Sequence, residues 1–255
     1  TRICVAAIGV GVVARFVFGV VLRHSVDLFE FGVIADNLAH GRGYSFFSAV
    51  ADTVQPSTSG EPIPSAFRGT SYAVIAAAAM RVSDGTGWDF PRTLGALQFL
   101  LGLCTLALVY LLVRQISTSA AAVTATAIVA IHPQFIALPA LGSAANVDQP
   151  ALLLASVAAV RLAQRPSWQS AGGFAAAGSI LWLCRPEAPL FLVVALAIIY
   201  RSRRQQRTLV YGGTACLAAA AVVTMVWLVP RSQVMERPLL TVTTSGGYNF
   251  WFGNA

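Results

Sequence analysis

Between residues 27 and 46 the chain reads DLFEFGVIADNLAHGRGYSF, which sets Asp27, Glu30 and Asp36 directly after an apolar run. A carboxylate at such an edge can take a proton from a hydroxyl as a general base. It can equally answer the positive end of a helix macrodipole. Asp148 stands in GSAANVDQP. It either faces Asp27 across a shared cavity or caps a helix that starts at Pro150. Arg68 precedes the apolar stretch at 72–82, where it can snorkel to lipid headgroups. Arg185 lies between two apolar runs, a costly place for a charge unless it is paired or faces a cavity, and Glu187 is its local partner. His132 beside Pro133 reads as a hydrogen-bonded packing residue rather than a ligand. Near the end, GGYNFWFGNA presents Tyr248, Phe250, Trp251 and Phe252 with Asn249 and Asn254. These residues suit an aromatic belt, or a surface that stacks on a sugar.

The elements that must carry these residues are set by a very apolar composition. The 255 residues are 56% hydrophobic and 11% charged, with a mean hydropathy of +0.70, whereas soluble domains carry about 25% charge. The chain therefore reads as an all-α, multi-pass integral membrane protein. Every one of its 17 basic side chains is arginine, which gives a net charge of +7. No basic stripe lies on a polar fold, so nucleic acid is excluded as a partner and the arginines mark membrane sidedness. Cys4, Cys104, Cys184 and Cys216 have no pairing or metal-ligand spacing and read as small core residues.

A helix needs about 20 apolar residues to cross the hydrocarbon core. The runs at 3–22, 91–113, 117–138, 150–162, with a first turn that can start at Asn146, and 209–229 serve, while 168–200 is too long for one span and is divided at Arg185-Pro186-Glu187. Seven crossings result. They place Arg2, Arg114, Arg161, Arg165, Arg201, Arg203, Arg204 and Arg207 on one side without any acid, and all ten acids on the other. Dense arginine in short loops marks the cytoplasmic side. Arg15 stays within the first span. The first external loop, 23–90, holds two apolar-faced helices too short to cross, at 27–40 and 72–82. The last external loop is 230–255, and the chain reads as the N-terminal module of a longer protein.

The motifs resemble the C superfamily of glycosyltransferases that use lipid-linked sugars, particularly its protein O-mannosyltransferase and aminoarabinose transferase branch. The signature at 27–46 is similar to that family's first-loop pattern. PSAFRGTSY at 64–72, FPRTLGAL at 90–97, LWLCRPEA at 181–188 and GGYNFWFGNA at 246–255 follow in the family's order. The resemblance implies a seven-helix module with a large external first loop. It implies transfer of a sugar from a polyprenyl-phosphate donor to an acceptor protein, lipid or polysaccharide, with inversion, at the extracytoplasmic face of a bacterial inner or plasma membrane. Asp27 takes the family's catalytic position. Arg68 and Arg185 match basic positions suited to a leaving phosphate. Glu30, Tyr72, Asp148, Asn249 and Asn254 fall where substrate contacts are implied, and paired carboxylates leave a divalent cation open. Two residues depart from the pattern: Leu28 replaces the second acid of the family's pair, and Gly69 and Thr70 replace its prolines. A lipid-linked-sugar transporter or flippase, and an inactive assembly subunit of the same superfamily, remain the rival readings.

Overall fold

The computed structural model describes residues 2–23, 25, 28, 30–47, 62–64, 70–203, 206–234, 236 and 238–239. The fold is helical apart from one small ribbon, and its helices follow the apolar runs. Helix α1 spans Arg2–Phe16 and continues through a π-helical stretch, Val17–Val21. Helix α2 (Glu30–Ala39) leads into a two-stranded antiparallel ribbon of β1 (Ser45–Phe47) and β2 (Pro62–Pro64), with Phe46 opposite Ile63. Helices α3 (Thr70–Thr86) and α4 (Phe90–Ile116) follow. Then come α5 (Ser119–Ile131), α6 (Pro133–Leu141), α7 (Ala145–Gln164) and α8 (Trp168–Cys184). Helices α9 (Ala188–Arg203) and α10 (Gln206–Val223), a π-helical stretch Thr224–Leu228 and α11 (Val229–Val234) complete it.

By length and apolarity three helical segments can cross a membrane among the described residues: Arg2–Val21, Phe90–Ile116 and Gln206–Val234. A fourth, expected as one span over 117–138, is broken: α5 and α6 meet at His132 with a bend of 59°. The division of 168–200 is borne out, since α8 ends at Cys184 and α9 begins at Ala188. Helix α7 starts at Ala145, earlier than the apolar run alone indicated. The ribbon is a departure from a purely helical reading. Its short Ser-Phe-Phe and Pro-Ile-Pro strands carry no alternation long enough to register as strands.

Helix α7 packs between α4 and α8; α4 carries α5 and α3 on other faces, and α8 carries α9 and α10. Asn146 meets Gln98 at one end of the α4–α7 pair, and Gln164 meets Gln115 at the other, so these two helices run parallel. Leu94, Ala155, Leu162 and Phe174 are fully enclosed among small residues, the pattern of close helix packing in lipid. Two glycines set the closest approaches. A Cβ on Gly11 would collide with the Ala130 backbone, and one on Gly95 would collide with the Gly19 carbonyl.

The break between α5 and α6 has a chemical cause. Pro133 has no N–H for the Val129 carbonyl, and Gln134 N donates to His132 Nδ1 instead of the Ala130 carbonyl. Arg15, buried in α1, fills both vacant positions: its Nη2 donates to Val129 O at 2.8 Å and its Nη1 to Ala130 O. His132 is thus a helix cap with Phe135 edge-on against it, in line with a packing role. Helix α6 ends at Gly142, whose φ of 67° is left-handed.

A candidate site at the acidic end of the helix bundle

The starts of α4 and α7 and the end of α8 lie at one end of the bundle, where Asp148 and Glu187 converge on Arg185. Asp148, in the first turns of α7, comes within 2.8 Å (Oδ2 to Nε) of Arg185, which follows α8. Arg185 also reaches Glu187 through Nη1 at 3.4 Å. Glu187 was the partner visible in sequence; the closer one is 37 positions away along the chain. Asp148 is not the N-cap, because the helix already begins at Ala145, where Ser143 Oγ accepts the backbone N–H. Its carboxyl precedes the apolar stretch 150–162. Burial pushes its pKa up to about 6, and Glu187 adds to the rise while Arg185 opposes it.

The ion pair lines a cavity of ≈ 480 Å³ with Gln149, Leu152, Leu181 and Phe191. On the other flank of α7 lies an almost wholly apolar groove of ≈ 740 Å³, between α4 and α8 and roofed by α3. Its upper rim is Thr70, Ser71, Leu183 and Cys184, and Thr70 Oγ1 donates to Leu183 O at 3.0 Å. Cys104, expected in the core, is exposed along this groove instead. All four cysteines are free.

Tyr72 is enclosed rather than presented to a cavity. Its hydroxyl donates to Gly142 O and its ring stands edge-on to Phe31 at 5.1 Å. Burial raises the phenol to about 12, with Arg23 and Gln98 drawing it back. Arg23, which sequence placed only in a loop, is buried and donates to Pro139 O at 2.9 Å; its Nε and Nη2 have no hydrogen-bond partner among the described residues. Burial lowers its pKa, and Tyr72 opposes the fall. Asn146 donates to both oxygens of Gln98, at 2.8 Å to the backbone and 2.6 Å to the side chain. Arg23, Gln98 and Asn146 escaped the sequence reading because each becomes distinctive only through partners on other helices.

The first-loop signature builds a structural turn. Asn37 is buried, donates to Ser45 O at 3.0 Å and accepts from Arg42 Nε at 2.7 Å. Asp36 pairs with Arg42 and lies 3.1 Å from His40 Nδ1. Gly41 and Gly43, each at φ 75°, reverse the chain between them. Tyr44 then stands edge-on to Trp227 at 4.9 Å, with Arg231 5.3 Å above its ring, so the signature touches the last helix. Glu30 begins α2. Asp27, Arg68, Asn249 and Asn254, and the rings Tyr248, Phe250, Trp251 and Phe252, lie outside the described residues. No group of three metal-ligating side chains comes together among the described residues.

The structure thus sets an ion-paired cavity beside an apolar groove in a helical membrane protein. The chain belongs to the dolichyl-phosphate-mannose-protein mannosyltransferase family, which matches residues 72–228. It is thereby a membrane glycosyltransferase of the C superfamily, and membership implies a lipid-linked sugar donor and an acceptor. The match takes in Tyr72, Asp148 and Arg185 and begins after Asp27 and Arg68. No curated protein matches the chain.

Proposed function

We propose that the protein transfers a sugar from a polyprenyl phosphate to an acceptor hydroxyl at the extracytoplasmic membrane face, with inversion. The observation that carries this reading is the charged cavity at Asp148 and Arg185 beside an apolar groove of isoprenoid character. The acceptor oxygen attacks the anomeric carbon as Asp27 takes its proton, and the bond from that carbon to the phosphate oxygen breaks. Arg185 and Arg68 meet the charge that grows on the departing phosphate. Asp148 holds Arg185 in position, and Glu187 shares it. Glu30, Asn249 and Asn254 contact the sugar or the acceptor, and Tyr72 fixes α3 over the groove.

In this arrangement α7, α8 and α9 cross the membrane with the four longer segments. That gives seven crossings, with the acids outside and the arginine-rich loops in the cytoplasm. A bacterial inner or plasma membrane fits, and no step calls for a divalent cation. Two breaks favour a transporter, whose broken helices expose backbone groups to cargo: the one at Arg185 between α8 and α9, and the one between α5 and α6. Here Arg15 already occupies the two freed carbonyls.

The test is transfer from a panel of radiolabelled polyprenyl-phosphate sugars, with the full-length protein in native membranes. Asp27→Asn should lower the rate by roughly 10²–10⁴-fold at unchanged expression, and Arg185→Ala should also lose transfer. Donor binding without transfer by the wild type, or full activity of Asp27→Asn, overturns the reading.

A further inference from the structure

The apolar groove does not end at mid-bundle. Its floor on α7 is Val147, Pro150, Ala151 and Leu154. A second cavity of ≈ 560 Å³ takes over from Leu154 and continues along the same face through Val157 and Ala158 to Arg161 and Arg165. Its walls are again α4 and α8, through Gln115 on one side and Ser167, Ser170 and Gly173 on the other. The 14 helical steps from Val147 to Arg161 rise about 21 Å, more than the ~15 Å depth of one leaflet's hydrocarbon.

The two ends differ in charge. At the far end no acid lines the cavity, and neither Arg161 nor Arg165 forms an ion pair with a described carboxylate. The positive terminus of α8, capped by Ser167 and Ser170, faces the same space. Gln164 Nε2 donates to Gln115 O at 2.8 Å and ties α7 to α4 below it. The cavity is mixed in character: its polar, arginine-bearing end suits a phosphodiester, and its apolar wall of Leu154, Val157 and Ala158 leads an acyl chain toward the groove. Fork-shaped donors pair with the phosphodiester, and two arginines without an acid favour a lipid of net negative charge over phosphatidylcholine, whose choline cation they repel.

We propose that this slot binds one anionic glycerophospholipid of the leaflet at the arginine end, with its phosphate on Arg161 and Arg165 and an acyl chain lying along α7 toward Leu154. The site is separate from the one at Asp148 and does not depend on the reaction assigned there. Gly173 supplies a steric test, because it lines the slot and a Cβ added there meets no protein atom within 4 Å, so a larger side chain has room to occupy that space.

The full-length protein is placed in nanodiscs of phosphatidylcholine containing a minor fraction of phosphatidylglycerol, released, and weighed intact by native mass spectrometry. The wild type should retain one phosphatidylglycerol in preference to phosphatidylcholine, and excess inorganic phosphate should not displace it. Arg161→Gln/Arg165→Gln and, separately, Gly173→Phe should each cut retention by roughly tenfold, while Arg114→Gln, outside the slot, should leave it unchanged. Equal retention of phosphatidylcholine, full retention by Gly173→Phe, an equal loss in Arg114→Gln, or displacement by inorganic phosphate would each overturn the proposal. Gly173→Phe keeps the test decisive if the double arginine variant fails to fold.

Discussion

Asp148 and Arg185 illustrate how a charge is kept at a membrane edge. The carboxyl is mostly enclosed and its pKa stands near 6 rather than 3.8, because burial outweighs the guanidinium beside it. A raised acid pKa stabilises the fold only while the group is protonated. Its contribution is complete below pH 3.8 and disappears as pH rises through about 6. Thermal stability of the purified protein should therefore decline across that window and then level off, and Asp148→Asn should remove that part of the slope. Arg185→Ala should cost about 1–2 kcal/mol, less than the loss of a fully buried pair, because Arg185 is nearly half exposed and Glu187 more than half. Arg185→Lys should recover part of this in a melting experiment, since an ammonium can hold Asp148 but lacks the fork that serves both acids. Sequence disclosed the partner two residues away and missed the one on α7, because ion pairing between helices depends on how they pack.

At the scale of elements, the α5–α6 break and its arginine form one device. Arg15→Leu strands the Val129 and Ala130 carbonyls and should lower stability by about 2–6 kcal/mol, at roughly 1–3 kcal/mol for each orphaned group. Pro133→Ala restores the N–H that Val129 lacks. The double variant Arg15→Leu/Pro133→Ala should then melt above Arg15→Leu alone, whereas additive losses would dismiss this account of the bend. Close packing at the same joint predicts that Gly11→Ala, which drives a methyl into the Ala130 backbone, costs about 1–3 kcal/mol in the same assay. The run at 117–138 concealed the break, because its apolar character is continuous and a proline inside a span is tolerated. The split at 185–187 was legible, since a charge-proline-charge triplet cannot sit in mid-bilayer at low cost.

For the whole molecule, composition and apolar run lengths point to a multi-pass helical protein, and the order of five motifs points to its family. What they could not disclose was which polar residues meet: Arg23 with Pro139, Asn146 with Gln98, Tyr72 with Gly142. These contacts join residues between 48 and 116 positions apart. The proposed sidedness predicts that, in an otherwise cysteine-free chain, an impermeant thiol reagent labels Gly87→Cys in intact cells and labels Gln206→Cys only after permeabilisation. Equal labelling at both would remove the seven-crossing arrangement. The pairing of Arg15 with Val129 also carries a consequence for biogenesis. The acceptor carbonyl is made 114 residues after the arginine, on the order of ten seconds later at ribosomal speed. Throughout that interval a lone guanidinium in hydrocarbon costs about 2.5–3.5 kcal/mol by insertion scales. The first helix is therefore expected to stay beside the insertion machinery until α5 emerges, which site-specific crosslinking of staged nascent chains would test.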